Sequence, residues 1–340
     1  MPLQLRFVVL KGVQGFGDRL QCLLQAIRYA QVSRRYLVID WRDPDWTHNI
    51  QQPLHTFFEI DEVATFGLQE FMAYWQAHAH QLSVFPSSWA PVLSDADYPN
   101  WIYKDIFSLP DSNAELNAIC TYKIADYDAD IVVYPGIGKR TFTYSDLSKL
   151  KLSGWVTERI QTFAIEQSLH SGNYDIVHLR GGSKSWCGGH VPLKTLHTSI
   201  HERWPDQTSY LDELWQTYQQ ETDGLSARPL ILVGDQAGLI QAWQDRFDCG
   251  TPLPNQAGSL LRESGIHKLR AEDLSQHPEA ISKDELTLES LRDFVVMLHA
   301  RKVIGDGISL FSRMAERCGA AGVRLVDLPS PNSRRPAATD

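Results

Sequence analysis

Three short segments of this chain place glycine beside residues that bind anions. In Gly12-x-x-Gly15-x-Gly17-Asp18-Arg19 a glycine-rich turn runs directly into a carboxylate and a guanidinium. The glycines allow positive φ and close approach of backbone to a ligand, and Asp18 is placed to cap a following helix. In His178-Leu179-Arg180-Gly181-Gly182 alternate residues share a face, so His178 and Arg180 point the same way at the end of a strand. A guanidinium there can hold a phosphate through two parallel hydrogen bonds. In Gly305-Asp306-Gly307-Ile308-Ser309-Leu310-Phe311-Ser312-Arg313 a Gly/Ser turn opens a helix, whose N-terminus offers N–H groups and a favourable dipole to phosphate. Ser309 and Ser312 add hydroxyl donors. Each segment also has a plainer reading: a tight turn with a capping Asp18, an interdomain salt bridge at Arg180, and simple N-capping by Ser309. The first glycine order is not GxGxxG, and its spacing excludes the P-loop GxxxxGK[ST].

These groups need strand ends and helix starts to position them, and the hydrophobic pattern supplies both. Leu5 to Leu10 is a short apolar run, Leu20, Leu23, Leu24 and Ile27 recur at helical spacing, and Tyr36 to Asp40 is a second apolar run. That is a βαβ unit and predicts an α/β fold with a parallel sheet, with ligand beyond the carboxyl ends of the strands. Further along, a helix is expected over Glu70–His80, a strand over Asp130–Tyr134 and a helix over Gly154–Gln167. A second α/β pattern follows: strand Tyr174–Arg180, helix Leu211–Tyr218, strand Leu230–Val233 ending at Gly234-Asp235, and helix Leu239–Phe247. Residues 250–286 read as a loop-rich insert. Leu288, Leu291, Val295 and Leu298 mark a helix, followed by strand Lys302–Ile304, helix Phe311–Cys318 and a last strand Val323–Val326. The expected organisation is two Rossmann-like domains, 1–170 and 171–328, meeting near 168–173, with a disordered tail over 329–340. A cleft between such domains is where a ligand is expected. Asp293, taken alone, is a solvated charge on an amphipathic helix.

Composition narrows the function classes. The chain has 340 residues, 43% hydrophobic and 21% charged, which suits a globular protein of about two domains. A net charge of −9 argues against a nucleic-acid partner, because no basic excess exists to neutralise phosphates. Cys22, Cys120, Cys187, Cys249 and Cys318 are odd in number, scattered and without CxxC, so neither a disulfide framework nor structural zinc is expected. With no signal-peptide pattern and no bilayer-length apolar run, the expected location is cytoplasmic. His190, His197 and His201 are too dispersed to make a metal site by themselves. Trp41, Trp46, Trp89 and Trp101 can stack on sugar rings or fill a core.

The same segments, taken together, resemble a known family. Gly15-Phe16-Gly17-Asp18, followed by Arg28-Tyr29-Ala30 and Ile39-Asp40-Trp41-Arg42, is similar to the N-terminal end of the bacterial nodulation α-1,6-fucosyltransferases. His178-Leu179-Arg180 is similar to the HxR motif of the wider fucosyltransferase superfamily, and Gly305–Ser312 resembles its segment after the penultimate strand. The resemblance implies a GT-B architecture: two Rossmann-like domains facing a cleft, an acceptor-side N-terminal domain and a C-terminal domain that binds the nucleotide sugar. It implies inverting, metal-independent transfer of fucose from GDP-fucose to a glycan hydroxyl, with no cofactor. It assigns the β-phosphate to Arg180, the nucleoside face to His178, guanine to Asp293 and the diphosphate lining to Ser309, Phe311 and Ser312. Gly15, Gly17 and Asp18 would approach the donor from the N-terminal domain, and Asp235 would contact the nucleotide. Asp18, Asp40 and Asp43 are the candidate bases. Two departures stand out: Arg180-Gly181 replaces a pair of adjacent arginines, and Ser309-Leu310-Phe311-Ser312 replaces a Ser-Ser-Phe-like run. Competing readings are an NAD-dependent oxidoreductase with Asp40 on the ribose, and an inactive nucleotide-sugar or glycan-binding protein. A sulfotransferase-like protein is a third, without a lysine-containing phosphate loop to support it.

Overall fold

A computed structural model describes residues 5–12, 15–42, 57–96, 127–134, 143–181, 203–222, 228–254, 274 and 282–328. The main chain divides into two compact units between Ser153 and Gly154, ahead of the boundary expected at 168–173. The displaced piece is the helix Gly154–Glu166. It goes with the second unit, where Gln161 donates to the Asp327 carbonyl and the Phe163 ring lies 4.2 Å from the Arg292 guanidinium. Among the described residues no helix is long and apolar enough to cross a membrane.

The first unit is built on a parallel sheet. Strands β1 (Phe7–Lys11), β2 (Tyr36–Asp40), β4 (Val84–Phe85) and β5 (Ile131–Tyr134) lie in the order β2-β1-β5-β4. A separate antiparallel pair joins β3 (Phe58–Ile60) to β6 (Leu150–Leu152). Strand β1 is buried along its whole length, so it reads as an unbroken apolar run and not as an alternation. Helix α1 (Phe16–Ser33) returns the chain from β1 to β2, with Leu20, Leu23, Leu24 and Ile27 fully buried. Helices α2 (Leu68–His78) and α3 (Trp89–Leu93) bring Phe71, Trp75 and Trp89 against Phe7, Val9, Ile131 and Val133. Trp41 and Trp89 are therefore core residues; Trp46 and Trp101 lie outside the described residues.

The second unit repeats the scheme. After α4 (Gly154–Glu166), strands β7 (Asp175–Leu179), β8 (Leu230–Gly234), β9 (Thr251–Pro252) and β10 (Lys302–Ile304) lie parallel in the order β10-β7-β8-β9. Helices α5 (Gln207–Thr222), α6 (Ala237–Phe247), α7 (Lys283–His299) and α8 (Leu310–Ala320) connect them. Since β8 and β10 fall on opposite sides of β7, the strand order reverses there, and the carboxyl ends of β7 and β10 flank the switch point. Helix α5 starts ahead of its apolar stripe because the Asp206 carboxylate accepts the Ser209 N–H at its first turn.

The expected last strand, Val323–Val326, does not form. Positive φ at Gly322 (81°) and Leu325 (22°) breaks the extended run. Its polar groups are tied elsewhere: Val323 N–H donates to Cys318 O, Arg324 donates to the Gly319 and Val323 carbonyls, and His299 Nε2 donates to Val326 O. An apolar tetrapeptide is thus folded against a helix end in place of a sheet edge. The tail 329–340 and most of the insert 250–286 lie outside the described residues.

Candidate functional site

In the second unit the ends of two adjacent strands, β7 and β8, are laced together by side chains. Arg180 follows β7, and its Nη1 donates to Asp235 Oδ2 at 2.6 Å. Asp235 follows β8 and also accepts the Gly181 N–H through Oδ1 at 2.7 Å. Arg180 thus has an ion pair inside its own unit. The clasp is half-buried, with side-chain exposures of 27% for Arg180 and 9% for Asp235. Tyr210, from α5, is fully buried beneath it and accepts the Arg180 backbone N–H at 2.9 Å. Burial, and then the negative charges of Asp306 and Asp235, push its phenol well above the ordinary value. The hydroxyl stays protonated and can donate as well as accept.

At the end of β10, Asp306 shapes the start of α8. Its Oδ1 accepts the N–H groups of Ile308 and Ser309 at 2.9 and 2.8 Å. Ser309 occupies the N-cap position, but its hydroxyl makes no capping bond. Asp306 thus folds the turn ahead of the helix, and the first helical N–H groups, from Leu310 onward, point out of the helix start without an intrahelical carbonyl. Gly307 carries φ 71°, the one place in this turn where glycine's left-handed freedom is required. Ser312 is buried under Gly305, where an added Cβ would come within 2.7 Å of its Oγ. Its hydroxyl contact is to Ser309 O at 3.5 Å. The His178 ring lies 5.7 Å from that of Phe311, which lies 5.7 Å from Phe294.

A pocket of about 270 Å³ opens beyond β8, lined by Asp235, Gln236, Gln244, Pro252, Leu253 and Asp293 among others. Asp293 is therefore not the solvated helix charge that the sequence alone suggests. It is 7% exposed. Burial raises its carboxyl above the ordinary range, against the pull of Arg292. Arg292 donates Nε and Nη2 to Asp293 Oδ1 at 3.0 and 2.8 Å, while Oδ2 accepts no hydrogen bond from the described residues. The lining combines a carboxylate, amides and an apolar wall, which suits a flat heterocycle with N–H donors on one edge.

The first unit carries the glycine turn. Helix α1 has Gly15 at its N-cap, at φ −75° and ψ 170°, so Gly15 needs no left-handed freedom and Asp18 is not the cap. Asp18 lies in the first turn, where its charge favours the helix dipole. Gly12 is required for space: a Cβ there would sit 2.2 Å from Trp41 Cδ1 and 2.9 Å from Arg19 Nη1. Arg19 is fully buried and packs 5.8 Å from the Trp41 ring. Beside it, Lys11 donates to the Arg42 carbonyl at 2.9 Å and lies 3.9 Å from Asp40. Both Asp40 oxygens accept from Arg42, each at 2.9 Å. Burial alone would raise the Asp40 carboxyl, but Lys11 and Arg42 outweigh it and hold it below the ordinary value.

The structure therefore brings His178, Arg180, Asp235, Ser309, Phe311 and Ser312 to the strand ends of one sheet, with Asp293 in the pocket beside Asp235. Gly15, Gly17 and Asp18 belong to the other unit. Sequence reasoning missed Tyr210, Gln236, Arg292 and the turn-forming role of Asp306. Only Asp306 left a signal, as an acid between two glycines ahead of a helix start. Val13, Gln14, Asp43, Gly182, His190, His197 and His201 lie outside the described residues. Among those described, no group of three or more His, Cys, Asp or Glu is gathered as a metal site.

No protein-family model and no curated protein matches the chain in sequence. Its fold is similar to solved structures of the α-1,6-fucosyltransferase NodZ. A NodZ crystal soaked with GDP-fucose aligns at TM-score 0.59 and 20% identity, covering 92% of each chain. NodZ from Bradyrhizobium aligns at TM-score 0.57 and 19% identity, again over 92% of each. NodZ co-crystallised with GDP aligns at 0.57 and 20%, over 92% of this chain and 91% of the other. The α/β fold with parallel sheets, of GT-B class, is the one expected from the sequence.

Proposed function

We propose that this chain is a fucosyltransferase that moves fucose from GDP-fucose to a hydroxyl of a glycan acceptor with inversion. The observation that carries the reading is the Arg180–Asp235 clasp at the carboxyl ends of β7 and β8, beside the pocket that holds Asp293. The fold likeness to NodZ, solved with GDP and with GDP-fucose, supports it.

In this reading the glycosidic C1–O bond lengthens first and the sugar becomes oxocarbenium-like. Negative charge grows on the departing diphosphate. Arg180 and the start of α8 supply positive ends already oriented towards it, and preorganised donors of this kind are the largest single contribution in many enzymes. Asp235 holds the guanidinium through a charged hydrogen bond and so fixes the direction in which it meets the phosphates. Asp293 Oδ2 accepts from the N1–H and amino group of guanine. The acceptor hydroxyl gives its proton to a carboxylate base. Asp18 is preferred over Asp40, which is fully buried with both oxygens on Arg42. The same burial weighs against Asp40 as the ribose-reading acid of an NAD enzyme.

The test is incubation with GDP-fucose and chitooligosaccharides, reading released GDP and the mass of the oligosaccharide. Fucosylated product is the expected result. Turnover of a different GDP-sugar in its place would overturn the donor assignment, and no transfer from any GDP-sugar would overturn the activity.

A further inference from the structure

We infer that Gln236 is a ligand-binding residue of this pocket, whose carboxamide donates to a diphosphate oxygen of the bound nucleotide beside Arg180. This deepens the reading above and rests on it.

Gln236 sits between β8 and α6 at the N-cap position of α6, but its side chain makes no capping bond. Its carbonyl is already engaged, accepting from Leu239 and Ile240 N–H at 3.2 and 3.3 Å. The residue is 6% exposed, and its Nε2 is buried with no hydrogen-bond partner among the described residues. A buried amide N–H without an acceptor is unfavourable, because desolvation is not offset. Groups of this kind in native structures call for an explanation such as a ligand or water that completes them.

The surroundings say which ligand atom fits. A Cβ built on Gly181 would lie 2.2 Å from Gln236 Oε1 and 3.0 Å from Nε2. The carboxamide therefore lies against the backbone of the residue that follows Arg180, and a side chain at that position would displace it. That gives a physical reason for Arg180-Gly181 where the resembled enzymes carry a second arginine. Both Asp235 oxygens already accept, from Arg180 and Gly181. The carboxamide lacks an acceptor, and an anionic phosphate oxygen held by the neighbouring guanidinium would supply one. Asp293, in the same pocket, presents an acceptor and so suits the donor edge of the base.

The test uses the full chain, titrated calorimetrically with GDP and with guanosine, alongside thermal melting. Gln236→Met keeps the side-chain length and removes the amide. It is expected to melt no lower than wild type, since it removes a buried unsatisfied group, yet to bind GDP about tenfold more weakly. Guanosine binding is expected to be unchanged. Gln236→Glu, which adds a charge that repels the diphosphate, is expected to lose more. Gly181→Ala is expected to match Gln236→Met by displacing the amide. GDP binding within twofold of wild type in a folded Gln236→Met protein would overturn the inference. So would a lower melting temperature in that variant, or an equal loss with guanosine. ADP and UDP separate the two claims. If wild type binds one of them and not GDP, the guanine reading falls and Gln236 is tested on the nucleotide that binds. If GDP binds and Gln236→Met equals wild type, only the Gln236 inference falls.

Discussion

Replacing Arg180 by alanine separates a transition-state role from a structural one. In the folded protein the guanidinium donates a charged hydrogen bond to Asp235 at 2.6 Å, and its side chain is 27% exposed. A charged hydrogen bond contributes about 1.5–3 kcal/mol. Asp235 keeps its bond to Gly181 N–H at 2.7 Å, and water reaches the vacated space, so the structural loss is about 1–2 kcal/mol. Melting should fall by only a few degrees. The catalytic loss is larger. If the guanidinium meets the charge that grows on the leaving diphosphate, its removal costs about 2–4 kcal/mol of barrier, on the scale of one oxyanion donor. Initial rates of GDP release at saturating GDP-fucose, well below the melting temperature, should drop about 30- to 1000-fold. Arg180→Lys keeps the charge but loses the fork, and should fall between. Turnover of Arg180→Ala within threefold of wild type would refute the argument. A rate loss fully matched by loss of folded protein would refute it as well.

Three further outcomes follow from the geometry. Asp293 has a raised carboxyl pKa, so stability should fall as pH rises from the ordinary 3.8 to its higher folded value, then level off. Over the same window GDP affinity should rise as Oδ2 ionises, and Asp293→Asn should abolish both trends in melting and titration curves. Asp40 has a lowered pKa, so its stabilisation is present above 3.8 and is lost as pH falls through the folded value. Asp40→Asn should destabilise by about 3 kcal/mol at neutral pH and flatten the acid limb of the melting profile. Gly12→Ala forces a Cβ to 2.2 Å from Trp41 Cδ1 and should cost about 1–3 kcal/mol, read as a drop in melting temperature.

How much of this was legible depends on the kind of signal. Strands β1, β2, β7, β8 and β10 were readable because parallel strands buried on both faces are written as apolar runs ended by Gly or Asp. The two-residue strands β4 and β9 and the short pair β3–β6 leave no periodicity to read. Val323–Val326 has strand composition, yet its hydrogen bonds go to a helix end and to side chains. Of the site, Arg180 and the α8 turn were visible as motifs. Tyr210 and Gln236 were not, because a buried tyrosine and an N-cap glutamine acquire their roles only when β7, β8 and α5 come together. Asp18 was expected to cap a helix that Gly15 begins, an error of three positions within the same turn.

The central claim is that the pocket beside Arg180 and Asp293 binds the nucleotide of a GDP-sugar. Calorimetric titration with GDP, with NAD run in parallel and EDTA present, tests it most directly. The account predicts micromolar GDP binding that is lost in Arg180→Ala and in Asp293→Asn, and no binding of NAD. NAD binding with no response to GDP would contradict it and return the first glycine turn to the oxidoreductase reading.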